Sequence, residues 1–211
     1  MAAPALERTA SLDSVRARAE RRLALAARDG DEAAFREIYD AYRDRIWTFI
    51  LYSVGDPCQA QDILQTVFLK AFRGLGGFRR EARFSTWLYG IMLNSVRTYW
   101  RTRKRRNVRI LTIEGGPDDD DPAPDLPAHQ DDPLGESVRA ETVEIVRRAI
   151  HNLDEDLREM VVLRDVEGLT YEQMAQVLGL PLGTVKSRLF RARGALKDSI
   201  APLFTEQPQC P

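Results

Sequence analysis

A chain of 211 residues has room for one large or two small domains. Its 44% hydrophobic and 30% charged residues are those of a soluble globular protein, and no stretch approaches the length of a membrane span. Two cysteines and two histidines, Cys58, Cys210, His129 and His151, lie too far apart in sequence for a disulfide framework or a metal-ligand motif.

The net charge of −1 argues against a nucleic-acid partner only if the charges are evenly spread. They are segregated instead: cations gather at 97–109 and 186–197, acids at 118–132, and local fields decide binding. The N-terminal stretch MAAPALERTASLDSVRARAERR carries charges where a signal peptide needs an apolar core, so a cytoplasmic protein is expected.

Residues 1–14 are small and polar and are expected to be disordered. A first helix runs through Val15, Ala19, Leu23 and Ala26 to the Asp29-Gly30 break. Asp31 then caps a longer helix with Phe35, Ile38, Tyr39, Tyr42, Ile46, Phe49 and Ile50 at three- and four-residue steps, a core face. Gly55-Asp56-Pro57 spells a helix stop, an N-cap and a first-turn proline. Cys58 follows, expected as a small buried or half-buried residue.

The next helix puts Ala60, Ile63, Leu64, Val67, Phe68, Ala71 and Phe72 on its inner face. Its outer face shows Asp62, Gln65, Thr66 and Leu69. An isolated exposed leucine needs no explanation, yet these four would also make a protein-docking surface, and the residues alone do not choose. The loop GLGGFRREARF then interleaves Phe78 and Phe84 with Arg79, Arg80 and Arg83. Rings on which bases stack, beside guanidinium groups that hold a backbone, suit a single-strand site. Two phenylalanines tucked into a core beside solvated arginines fit the same residues equally well.

Ser85 or Thr86 is placed to cap a helix through Trp87, Leu88, Ile91, Met92, Val96, Tyr99 and Trp100, whose C-terminal half is cationic from Arg97 to Arg106. The helix macrodipole favours cations there, but so many point to phosphate contacts. Periodicity stops at 114–136, EGGPDDDDPAPDLPAHQDDPLGE, an acidic linker too polar to fold alone. Helical pattern resumes with Val138, Ile145, Val146, Ala149, Ile150 and Leu153, and Asp154 caps another helix that closes at Gly168.

Residues 169–197, LTYEQMAQVLGLPLGTVKSRLFRARGALK, read as a helix-turn-helix. Thr170 and Gln173 form a capping box, Gly179 supplies the left-handed stop, and Pro181 suits the first turn of the second helix. Val185, Leu189, Ala192 and Leu196 face inward, leaving Lys186, Ser187, Phe190, Arg191 and Gly194 outward, with Arg188 and Arg193 on the flanks. Two cations, a hydroxyl and an aromatic suit a major groove, where Arg and Lys reach guanine acceptors and Phe meets a thymine methyl. The fold class is all-α: two small helical domains, 15–113 and 137–200, joined by the linker 114–136 and followed by a frayed tail, 201–211.

FREIYDAYRDRIW, DILQTVFLKAFRGLGGFRREARFSTWLYGI and LREMVVLRDVEGLTYEQMAQVLGLPLGTVKSRLFRAR together resemble the extracytoplasmic-function (ECF) sigma factors, specificity subunits of bacterial RNA polymerase. The resemblance implies a sigma region 2 bundle and a sigma region 4 helix-turn-helix. It implies that Asp62, Gln65, Thr66 and Leu69 dock on the clamp helices of core RNA polymerase, with the flap as a second contact. Phe78, Arg79, Arg80, Arg83, Phe84 and Trp87 would receive a flipped base of the −10 element, and Asn94, Arg97, Thr98 and Arg101 would contact the same element. Thr184, Lys186, Ser187, Arg188, Phe190, Arg191 and Arg193 would bind the −35 element. An anti-sigma factor is a further implied partner. The chain departs from the family pattern at Gln61, where an acidic residue usually precedes Asp62, and in the Arg80–Arg83 run.

No nucleophile-base pair, paired carboxylates or phosphate-cradling loop is present in the sequence, so no catalytic residue, metal or cofactor is expected, and binding replaces bond chemistry. Two rivals share the helical pattern: a stand-alone helix-turn-helix regulator, which needs a dimerisation surface, and a helical adaptor, in which Lys186 and Arg191 do nothing to promoter choice.

Overall fold

Eight α-helices, one 3₁₀ turn and one π-helical turn make up the described residues, with no strand among them. The computed structural model describes the backbone of residues 3–78, 83–113 and 135–205, and the side chains of 15–78, 83–106 and 142–201. Arg79 and Arg80, His129, Cys210 and nearly all of the acidic linker therefore lie outside the described residues. The helices are α1 (Ala3–Arg28), α2 (Glu32–Val54), α3 (Pro57–Gly74) and α4 (Phe84–Ile113), then α5 (Gly135–His151), α6 (Glu155–Val161), α7 (Tyr171–Leu178) and α8 (Leu182–Thr205).

Local chemistry accounts for most boundaries. The Asp31 carboxylate accepts from the amides of Ala33 and Ala34, and Asp56 does the same for Cys58 and Gln59 with Pro57 in the first turn. Gly55 ends α2 at φ 77°, a left-handed conformation that a β-carbon would strain, and it also lies against the His151 ring. Thr170 and Gln173 form the reciprocal capping box of α7, and Gly179 closes it at φ 67°.

Four local expectations are corrected. α1 begins at Ala3, within the stretch expected to be disordered, because 3–14 lacks glycine, is rich in good helix formers and carries its one proline in the first turn. α4 starts at Phe84, one or two residues before the expected caps, with the Arg83 carbonyl accepting from Trp87. Pro181 stands just before α8, its carbonyl accepting from Val185. The helix expected to run from an Asp154 cap to Gly168 ends instead at Val161, with no side-chain bond from Asp154, and the π-turn 162–166 carries the chain on toward the left-handed Gly168.

Ile38, Tyr42, Ile46 and Phe49 of α2 pack with Ile63, Val67, Leu88, Met92 and Val96 to fill the first lobe. Ile150, Met160, Leu163, Met174, Val185, Leu189 and Ala192 fill the second. Each such large side chain contributes about 1.5–3 kcal/mol by leaving water. The two lobes share one continuous core: α2 packs on α5, α6 and the π-turn, and α4 packs on α7. Phe72 and Cys58 depart from expectation. Phe72 is half exposed, edge-on to Phe35 at 5.0 Å, because α3 meets its neighbours along the Ile63–Val67 side, and Cys58 is exposed in the first turn of α3.

Candidate nucleic-acid interface

The second helix of the helix-turn-helix is amphipathic as its spacing requires. Val185, Leu189 and Ala192 are buried, whereas Lys186, Ser187 and Arg191 are exposed and Phe190 is 81% exposed. A phenylalanine this bare costs solubility unless something covers it, and it stands between two cations that make no ion pair among the described residues. Thr184 is half buried, its carbonyl accepting from the Ser187 hydroxyl. The flanking cations are held: Arg188 pairs with Asp156 at 3.1 Å, and Arg193 grips Asp165 with two bonds. The α8 face thus has a free centre and tethered edges.

The aromatic loop resolves toward the core. Phe78 and Phe84 are 3% and 2% exposed and stack edge-on at 5.5 Å, with Trp87 5.4 and 5.5 Å from them. Their expected role as base-stacking rings is corrected: burying both rings gains more than leaving them in water, and they pin the two ends of the loop instead. Arg83 is exposed at the second anchor. Trp87 is half buried and lies over Gly74, where a β-carbon would come within 3.2 Å of the indole.

Along α4, Asn94, Thr98 and Arg101 are exposed on one face, Thr98 bonded back to the Asn94 carbonyl and receiving a bond from Arg101. Arg97, expected beside them as a DNA contact, points elsewhere. Its Nε and Nη2 donate to both oxygens of Glu159 on α6, at 2.8 and 2.6 Å. Burial pushes the Glu159 carboxyl up while the guanidinium pulls it back, and the same contact raises the arginine.

A second carboxylate repeats the pattern. Glu167, after the π-turn, accepts from Arg45 at 3.1 Å and from the Tyr89 hydroxyl at 3.0 Å, and Arg45 also donates to its carbonyl at 2.9 Å. Burial raises both Glu167 and Tyr89. Nearby, Arg158 donates to the Ser53 carbonyl at 2.6 Å and Arg147 to that of Gly55 at 3.2 Å. His151 lies among these cations, and burial together with Arg158, Arg147 and Arg103 pushes its pKa down to about 4.

Arg45, Tyr89, His151, Glu159 and Glu167 were not singled out from sequence. The available signal was Arg158-Glu159 inside the apolar run LREMVVL: charges inside such a run are there to be paired when buried. On α3 the four docking candidates Asp62, Gln65, Thr66 and Leu69 share one exposed face, Leu69 being 48% exposed. Among the described residues no group of three or more possible metal ligands occurs.

Comparison with known proteins follows the same division of the chain. Residues 38–106 match the family model of Sigma-70 region 2, and residues 144–196 that of Sigma-70, region 4. The RNA polymerase sigma-H factor of Pseudomonas aeruginosa is 38% identical over 185 residues, spanning 84% of this chain and 91% of that protein. The ECF RNA polymerase sigma-E factor of Escherichia coli K12 is 35% identical over 180 residues, 83% and 91% of the two. Among solved structures, CnrH in complex with the cytosolic domain of CnrY has the same fold, with a TM-score of 0.64, 24% identity, and coverage of 90% of this chain and 99% of that one. The sigma factor RpoE bound to the anti-sigma factor NepR from Bartonella quintana follows at 0.60 and 22%, covering 79% and 96%.

Proposed function

This chain belongs to the sigma-70 family, as an ECF sigma factor directing promoter recognition, and from that premise we propose how its residues divide the work. The outer face of α8 reads the −35 element: Lys186 and Arg191 address base acceptors, Phe190 fills the groove against a thymine methyl, and Ser187 and Thr184 approach the edges. Arg188 and Arg193 at the rims meet phosphates. The exposure of Phe190 between two exposed cations carries this reading.

In the first lobe the loop between the Phe78 and Phe84 anchors, with Arg79, Arg80, Arg83 and Trp87, receives a base of the −10 element. Asn94, Arg97, Thr98 and Arg101 hold the adjoining strand. The two buried rings, packed edge-on against each other, fix the residues that flank that loop. Unstacking a base costs a few kcal/mol, and polymerase contacts must supply what capture alone does not. The α3 face at Asp62, Gln65, Thr66 and Leu69 docks on the polymerase clamp, and the second lobe on the flap.

The work is binding, with no bond made or broken by this chain, and it takes place where polymerase is, in the cytoplasm. No helix among the described residues is long and apolar enough to cross a membrane. RpoE of Bartonella quintana was solved with an anti-sigma factor, and an inhibitor of that kind is proposed here as well. Transcription in vitro from the native promoter, run with and without core polymerase, tests the whole: transcripts are expected only with core plus this chain, and tight specific promoter binding by the free chain would refute it.

A further inference from the structure

The first turn of α8 presents an apolar side chain that the fold leaves uncovered. Leu178 and Leu180, which flank the Gly179 turn, are packed against the core, whereas Leu182 is 38% exposed. Its own turn is anchored by a different residue, the wholly buried Val185, whose amide donates to the Pro181 carbonyl. On the open side, a β-carbon placed on Gly183 would meet nothing within 4 Å, so nothing of the described chain fills the space beside the leucine. A single exposed leucine is unremarkable on its own; its place on the helix gives this one a meaning.

Leu182, Lys186 and Phe190 recur at four-residue steps and so share one stripe of α8, and all three are exposed. The stripe reads apolar, cationic, apolar. In a helix-turn-helix the N-terminal residues of the second helix are the ones that reach base edges, and Leu182 is the first of them. A leucine has no donor or acceptor to offer a phosphate or a base. The apolar group on a major-groove edge is the thymine methyl, and contact between it and Leu182 takes both out of water.

We propose that Leu182 is a second apolar reader of the −35 element, seated on the methyl of a thymine other than the one Phe190 meets. This rests on the reading of α8 as the −35 helix. Eight residues of helix separate the two side chains, about 12 Å along the axis, and base pairs follow one another at about 3.4 Å. A helix lying along the groove therefore sets the two methyls about three or four base pairs apart, with Lys186 addressing an acceptor between them. The stripe then fixes register as well as composition, since sliding the helix by one pair takes both apolar ends off their methyls at once.

The test uses holoenzyme assembled from core polymerase and the full chain, and reads its affinity for duplexes of the native promoter. Each thymine of the −35 element, on either strand, is replaced in turn by deoxyuridine, which lacks only the methyl. Wild type is expected to bind about fourfold more weakly at two of the replaced positions, the effect of one methyl group taken out of contact. Leu182→Ala should become indifferent at one of them and keep its loss at the other, and Phe190→Ala should do the reverse. A Leu182→Ala profile that matches wild type at every position overturns the proposal. So does one that matches Phe190→Ala, or a wild type that loses affinity at fewer than two positions. The parent reading fails separately: a Phe190→Ala profile equal to wild type removes its apolar contact at −35 whatever Leu182 does. Should Leu182→Ala melt below wild type, Leu182→Gln, of similar length and helix propensity, is scored on the same duplexes in its place.

Discussion

Arg97 on α4 and Glu159 on α6, 62 residues apart, meet fork to fork through two hydrogen bonds of 2.8 and 2.6 Å. The carboxylate is almost wholly buried and the guanidinium is 39% exposed on its side chain, so the pair lies between a surface bridge and a core one. Such a pair is worth more to geometry than to stability until one member is removed.

Arg97→Lys keeps the charge but offers no fork, and Arg97→Ala leaves Glu159 buried alone. In urea unfolding of the free chain we expect a loss of about 1–3 kcal/mol for Ala, below the cost of fully buried pairs because this one is partly solvated, with Lys between Ala and wild type. A Lys variant as stable as wild type would show that the fork geometry contributes nothing.

Phe84 and Phe190 invert the usual cost of losing an aromatic ring in the same chain. Phe84→Ala should destabilise by about 3–5 kcal/mol, since a fully buried ring leaves a cavity beside Phe78 and Trp87. Phe190→Ala should fall within about 0.5 kcal/mol of wild type in the same melt yet abolish −35-dependent transcription. Comparable unfolding midpoints for the two variants would contradict the burial.

On α8 the free and tethered cations should behave differently. Lys186→Ala or Arg191→Ala is expected to cost about 1–3 kcal/mol at one base position, relaxing discrimination there. Arg188→Ala or Arg193→Ala should weaken binding across all sequences alike and make it less salt-sensitive. Footprinting of the holoenzyme on −35 substitutions at two salt concentrations distinguishes the patterns, and identical base-specific losses for all four would contradict the assignment of edges to phosphate.

His151 gives the fold a pH dependence whose sign follows from its pKa, depressed to about 4 by burial and three arginines. Unfolded, the ring takes a proton near pH 6.5; folded, it resists. Its contribution is therefore complete above about 6.5 and lost progressively as pH falls toward 4. Glu159 and Glu167, both raised by burial, pull the other way, but they are shared with a His151→Gln variant and cancel in the difference. Thermal melts at pH 7.5 and 5 should show the wild type losing stability relative to His151→Gln; a difference constant with pH would mean the ring titrates as it does in water.

Read residue by residue, the sequence determined what depends on neighbours within a turn or two. The Asp31 and Asp56 caps, the Thr170–Gln173 box, the left-handed Gly55 and Gly179, and the outward face of α8 all follow from contacts spanning at most four residues, which is why local spacing predicts them. Tertiary structure alone decided which of two chemically equal readings a side chain takes. Phe78 and Phe84 could have stacked on bases, and became core because Trp87 and Tyr42 surround them. Phe72 could have been core, and was left half exposed because α3 buries Ile63, Val67, Phe68 and Ala71 against its neighbours instead. Arg97 met a carboxylate 62 positions away, and Arg45 one 122 positions away. No local pattern records such partners, because a buried charge is satisfied by whatever the folded chain brings within 3 Å of it, and that is settled only when the lobes close.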